Sequence, residues 1–175
     1  MKWPILLLVV AFLALSIVGA APALAAEGIS AQLNSYEETP STLNSPGTGV
    51  FVGLIDSDET FINYQLFYTD LQGATVLFAH IHFGKPGESG GVVAFLCGGG
   101  GKPACPAAGT PITGTIVAAN VQALAGQNLA AGDMAAFVRA IRSGFTYANV
   151  HTNIFPGGAL RRQIKSAARV DDGAR

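Results

Sequence analysis

Three histidines stand in the chain, and they fall in two short motifs: His80 and His82 in TVLFAHIHF, and His151 in FTYANVHT. Both segments read as strands. Residues two apart on a strand face the same side, with Cα atoms about 6–7 Å apart, so the imidazoles of His80 and His82 can converge on one ion. If the strand carrying His151 pairs beside theirs, three neutral imidazoles meet. That donor set suits copper, zinc or iron and leaves a position for water or substrate. Asn149 and Thr152 flank His151 and are candidates to orient its ring, as groups around metal ligands commonly do. A plainer reading uses the same residues: His-x-His as a structural hydrogen-bonded pair, and His151 bonded to a backbone carbonyl in a turn-rich region.

Other residue types offer less chemistry. Cys97 and Cys105 enclose a glycine-rich loop, Gly98 to Ala104. In an exported protein a lone close pair predicts a disulfide; the alternative, a thiolate metal site, suits an oxidising compartment poorly. Glu37 and Glu38 are adjacent, so on a strand they would face opposite sides; they read as part of a solvated loop. Arg161 and Arg162 alternate faces in the same way. One of them could lie near the histidines and guide an anion, but the simpler expectation sends one to solvent and uses the other to close a barrel end by hydrogen bonds. Ser89 and Ser143 lack a His and Asp at usable spacing, and Gly98 to Gly101 lacks the Lys-Ser/Thr ending of a phosphate loop. No catalytic residue is assigned.

The elements that must position these groups are short and β-rich. ISAQLNS (29–35), GVFVGLI (49–55), TFINYQLFY (60–68), TVLFAHIHF (75–83), GVVAFLC (91–97) and ITGTIV (112–117) read as strands divided by Gly, Pro and Asp turns. Ile62, Tyr64, Leu66 and Tyr68 share one face of the third strand, and Asn63 and Gln65 share the other. A short helical turn is expected over 120–126. Asp133 can cap one helix whose apolar stripe is Met134, Phe137, Val138 and Ile141, ending near Gly144. Strands over 145–152 and 159–165 complete the pattern. It predicts an all-β fold: an antiparallel Greek-key sandwich or barrel, immunoglobulin-like or superoxide dismutase-like, with one short helix before the penultimate strand.

The chain has 175 residues, 50% of them hydrophobic and 12% charged, with a net charge of -1. That excludes disorder and argues against nucleic acid as a partner and against a polybasic membrane patch. Lys2, the apolar run from Ile5 to Val18 and Ala23-Leu24-Ala25 together read as a secretory signal peptide over 1–25. An N-terminal anchor is the alternative, but a span needs about 20 apolar residues. No later run has membrane length, so no membrane span is expected after cleavage. The mature protein is expected to be periplasmic or secreted, and residues 167–175 read as a flexible tail.

Two segments carry a family resemblance. AHIHFGKPGESGGVVAFL is similar to an Ala-His-Ile-His-Gly-Pro pattern, and YANVHTNIFPGGALRRQI to an Asn-Val-His-Thr…Pro-Gly-Gly-Glu-Ile-Arg-Gly-Gln-Ile pattern. With the opening ISAQLNSYEETP and with GTGVFVGLI, they resemble the CHRD domain, first described in chordin, over 28–166. Phe83 before the Gly-Pro, Ala159 in place of an acid and Arg162 in place of a small residue depart from the pattern; the three histidines stay. A weaker likeness is to copper/zinc superoxide dismutase, where a His-x-His pair and a late His bind copper. It implies copper ligands at His80, His82 and His151, while the bridging fourth histidine and the zinc-ligand cluster have no counterpart.

Two functions follow as expectations. The CHRD resemblance implies an extracytoplasmic binding or interaction module for a protein, a polysaccharide or a small ligand, with no established family activity to carry over. The alternative is a mononuclear copper or zinc protein with a dismutase-like redox role.

Overall fold

The computed structural model describes residues 26–167. The expected signal peptide over 1–25 and residues 168–175 of the expected tail lie outside the described residues. Among the described residues nine strands form: β1 (Glu27–Asn34), β2 (Thr48–Ile55), β3 (Phe61–Thr69), β4 (Val76–Phe83), β5 (Gly91–Cys97), β6 (Ile112–Val117), β7 (Thr146–Thr152), β8 (Leu160–Gln163) and β9 (Lys165–Ser166). One helix, α1 (Met134–Arg142), precedes β7. The expected elements are recovered within a residue or two. The exception is the last strand, which Ile164 divides into β8 and β9. The helical turn expected over 120–126 is instead two 3-10 turns, Ala118–Asn120 and Ala125–Gln127, joined to a bridge between Leu124 and Leu129.

All pairings are antiparallel, and the strand order is β5-β4-β7-β8-β1-β2-β3-β6, with β9 also on β1. The chain crosses between non-neighbouring strands after β3, β5 and β6, as in Greek-key folds. The two end strands of this curved sheet approach each other. The Tyr64 hydroxyl on β3 donates to the Leu96 carbonyl on β5 at 2.7 Å, and Gln122 N donates to the Val93 carbonyl at 2.8 Å. The result is an antiparallel, nearly closed barrel or sandwich.

Alternation builds the core. On β3, Ile62, Tyr64, Leu66 and Tyr68 are buried while Asn63 and Gln65 are exposed. Phe51 of β2, Ile81 of β4, Leu96 of β5 and Ile116 of β6 meet them inside. The helix supplies Phe137, Val138 and Ile141, all fully buried, and its N-terminus is capped by Asp133, whose carboxylate accepts from Ala136 N at 2.8 Å. Cys97 and Cys105 form a disulfide that ties the end of β5 to the glycine-rich loop.

Candidate metal centre

β4 and β7 are neighbours, and their register sets His80 opposite Asn149, His82 opposite Tyr147, and Phe78 opposite His151. Paired residues share a face. His80 and His82 alternate with Ala79 and Ile81, which are fully buried in the core, so the histidines point to the outer face of the sheet. Bulges in the β4–β5 pairing fall between Ala79 and His80 and again between Ile81 and His82, where they re-aim both side chains. The outer face here is nonetheless covered: His80, His82 and His151 are only 7%, 8% and 7% exposed.

The three rings converge. One nitrogen from each lies within 4.8 Å of the others. His80 Nδ1 is 3.0 Å from His82 Nε2, and the His80 and His151 ring centres are 4.6 Å apart. Two backbone carbonyls fix the tautomers. His82 Nδ1 lies 2.9 Å from the Gly90 carbonyl and His151 Nδ1 lies 3.0 Å from the Pro156 carbonyl. A carbonyl only accepts, so each Nδ1 carries a hydrogen and each neutral ring keeps a lone pair on Nε2. His80 Nδ1–H donates to one of these lone pairs. The other, on His151 Nε2, is buried without a hydrogen-bond partner.

Electrostatics keep the cluster uncharged. Burial, then the neighbouring His151 and His82, push His80 down to about 3. Burial pushes His82 down to about 4, with His151 and Arg161 adding to the fall against the Gly90 bond. Burial lowers His151 too, against its bond to Pro156. At neutral pH these are neutral imidazoles, the form that ligates metal.

Aromatic rings wall the cluster. Phe78 stacks on His80, Phe95 meets its edge at 4.9 Å, and Tyr147 stacks on His82 at 4.7 Å, nearly parallel. Behind Tyr147 lies Arg161, 3.6 Å from the ring centre and 3% exposed. Its guanidinium donates to Thr39 Oγ1 and to the Lys85 and Glu88 carbonyls. Arg161 is therefore a brace that ties the loop after β4 and the segment after β1 to the sheet; it is not free to steer an anion. Arg162 turns outward and pairs with Glu37.

Gly90 shows how tightly that loop is drawn in. A Cβ there would overlap the Phe83 carbonyl. Only glycine lets the Gly90 carbonyl reach His82.

A family model of the CHRD domain matches residues 29–164. The chain belongs to the CHRD domain family. CHRD domains are found in extracellular or secreted proteins, and the disulfide is consistent with that setting. No curated protein and no solved structure matches the chain. Among the described residues, no helix is long and apolar enough to cross a membrane.

The residues expected to flank the site divide. Asn149 sits on the histidine face, but its amide donates to Glu38 and to the Leu160 carbonyl. Thr152 faces the other way, and its hydroxyl accepts from Phe155 N to shape the turn. Neither holds the His151 ring, which Pro156 does. Glu38 corrects the solvated-loop reading of the Glu37–Glu38 pair: it is 6% exposed and part of the cover over this face, whereas Glu37 is exposed. The sequence signal that could have found it is its place in the family's opening motif, where a strand leads to a Glu and a Pro.

Proposed function

We propose that this CHRD-domain protein is exported and holds one copper or zinc ion on His80, His82 and His151. The observation that carries the reading is the buried, unpartnered Nε2 of His151, with its tautomer fixed by Pro156 and candidate nitrogens of the other two histidines within 4.8 Å. An unpaired buried acceptor costs about 1–3 kcal/mol, and a cation there would recover it. The donor set fits: three neutral imidazoles suit copper or zinc, and intrinsic affinity favours copper(II). Copper would supply one-electron redox chemistry, and zinc would supply Lewis acidity. The chain's own residues orient the ligands through Gly90 and Pro156 and limit water through Phe78, Phe95 and Tyr147.

The test is titration of the apoprotein with copper(II), read by electron paramagnetic resonance. One equivalent with nitrogen hyperfine structure is expected, lost in His82→Ala and in His151→Ala. The same spectrum in both variants would overturn the reading.

A second reading, an extracytoplasmic interaction module for a protein, polysaccharide or small ligand, draws support from another face. Val50, Val52 and Leu54 of β2 form a row 44%, 40% and 47% exposed. An exposed apolar row on a sheet is a feature of docking surfaces. Absence of metal binding in the titration would leave this reading as the better one.

A further inference from the structure

Glu38 has no part in ligating the cluster, yet several elements are built around its carboxylate. It follows the Ser35–Glu37 turn and packs onto the outer face of the sheet, 6% exposed. Its Oε1 accepts from Asn149 Nδ2 at 2.7 Å. Asn149 is the residue directly opposite His80 and is two positions from His151. From the other side comes the loop that holds the His151 ring. Gly158 sits there with φ +143, and a Cβ at that position would overlap the Glu38 carboxylate. So the Pro156–Gly158 turn holds His151 with one carbonyl and makes room for Glu38 with a missing side chain.

The charges around Glu38 are few. Arg161 on β8 acts on it, Thr39 N donates to it, and Asn149 on β7 donates to it, while Glu37 turns away to Arg162. The neutral histidines stand on the same face. Burial outweighs Asn149, Arg161 and Thr39 and raises the carboxyl to about 7. A buried acid so poised is costly to ionise while the cluster is neutral. Its ionisation becomes more favourable when a positive charge is held on the same face, next to the Asn149 that donates to it.

We propose that Glu38 supplies the negative charge that balances a cation held by His80, His82 and His151, giving up its proton as the ion enters. The balance is simple: one divalent ion goes in and up to one proton leaves Glu38 for solvent. The histidines are already neutral and contribute none. The inference rests on the metal reading and adds to it a coupling between ion and proton. Glu38 is a positioning and charge-balancing residue here, acting through Asn149 and across the site.

Zinc(II) titrated calorimetrically at pH 7 in two buffers of different ionisation enthalpy tests it. The wild type should release about half a proton per ion, as a group titrating near 7 requires. Its affinity should rise between pH 6 and 8. Glu38→Gln should release essentially none, lose that pH dependence and bind about tenfold more weakly at pH 8. Glu38→Asp should restore part of the proton release. A purely structural Glu38 would leave the proton count unchanged. Equal proton release and equal affinity in wild type and Glu38→Gln would overturn the inference while leaving the metal site standing. No zinc uptake by the wild type would overturn both. Should Glu38→Gln fail to fold, the wild type's own affinity profile decides: a bend near pH 7 supports the coupling, and a flat profile overturns it.

Discussion

His80 Nδ1 lies 3.0 Å from His82 Nε2, and two imidazole nitrogens stay that close only with a proton or a cation between them. In the metal-free chain a proton fills that role, because His82 Nδ1 is already committed to Gly90 and leaves Nε2 as the acceptor. The strand holds both rings at this separation through the two bulges against β5. His151 completes the set from β7 with a lone pair that nothing else uses. Ligation through His80 Nδ1 would take one change of tautomer, with its hydrogen moved to Nε2, whereas ligation through Nε2 would take none.

The apoprotein should lose stability in acid because of this cluster. His80 and His82 titrate at about 3 and about 4 in the fold, against 6.5 for the free side chain. Below pH 6.5 the unfolded chain takes up protons that the folded chain refuses, so the cluster's contribution to stability is full above 6.5 and falls as the pH drops toward 4. Urea midpoints at pH 8, 6.5, 5 and 4 measure this. The double variant His80→Leu/His82→Leu should lose less stability than wild type between pH 6.5 and 4, and profiles parallel to wild type over that range would contradict the account.

Glu38 acts with the opposite sign. Its carboxyl is raised from 4.5 to about 7, so its contribution is intact below 4.5 and is lost as the pH climbs through 7. In the absence of metal, Glu38→Gln should be about 1–3 kcal/mol more stable than wild type at pH 8, with the difference shrinking to near zero at pH 4.5. An equal gain at both pH values would contradict this.

Arg161 should be hard to replace. It stacks on Tyr147 and satisfies the Lys85 and Glu88 carbonyls from a 3% exposed position. Arg161→Ala should cost about 2–4 kcal/mol by denaturant unfolding, since buried acceptors lose their donor. Arg161→Lys should recover little, because an ammonium cannot span both carbonyls while lying flat on the ring. Full recovery by Lys would show that charge alone matters there.

The Cys97–Cys105 bridge closes a short loop beside the seam where β5 approaches β3. Replacing both cysteines with Ser should cost about 2–3 kcal/mol, the loop-closure value for this spacing. Tyr64→Phe, which leaves the Leu96 carbonyl without its donor, should cost about 1–2 kcal/mol. Equal denaturation midpoints for the wild type and these variants would mean that neither fastens the seam.

Local pattern made most of the strands legible. The alternation of Ile62, Tyr64, Leu66 and Tyr68 with Asn63 and Gln65 is preserved in the fold, and Asp133 caps the helix its sequence announces. The convergence of His80 and His82 followed from their spacing alone. Their meeting with His151 did not, because it depends on β4 and β7 being neighbours across a long crossover, and no local signal carries that. The burial of Glu38 is not carried by its local pattern, for a related reason. Its neighbours Glu37, Thr39 and Pro40 resemble a solvated loop, and its burial comes from Asn149, Gly158 and Arg161, which lie more than a hundred positions away in the chain. Asn149 stands near the histidines, opposite His80, and bonds elsewhere. Its amide is taken by Glu38 and Leu160, and His151 turns to the turn that follows it.

The most direct test of the central claim is metal content. The protein would be exported from cells fed copper and zinc, purified without a histidine tag, and assayed for metal per chain beside His82→Ala and His151→Ala. The account predicts about one ion per wild-type chain and none in either variant. A wild type that holds no metal, even after reconstitution, would contradict it and leave the three histidines as a hydrogen-bonded fastening between β4 and β7.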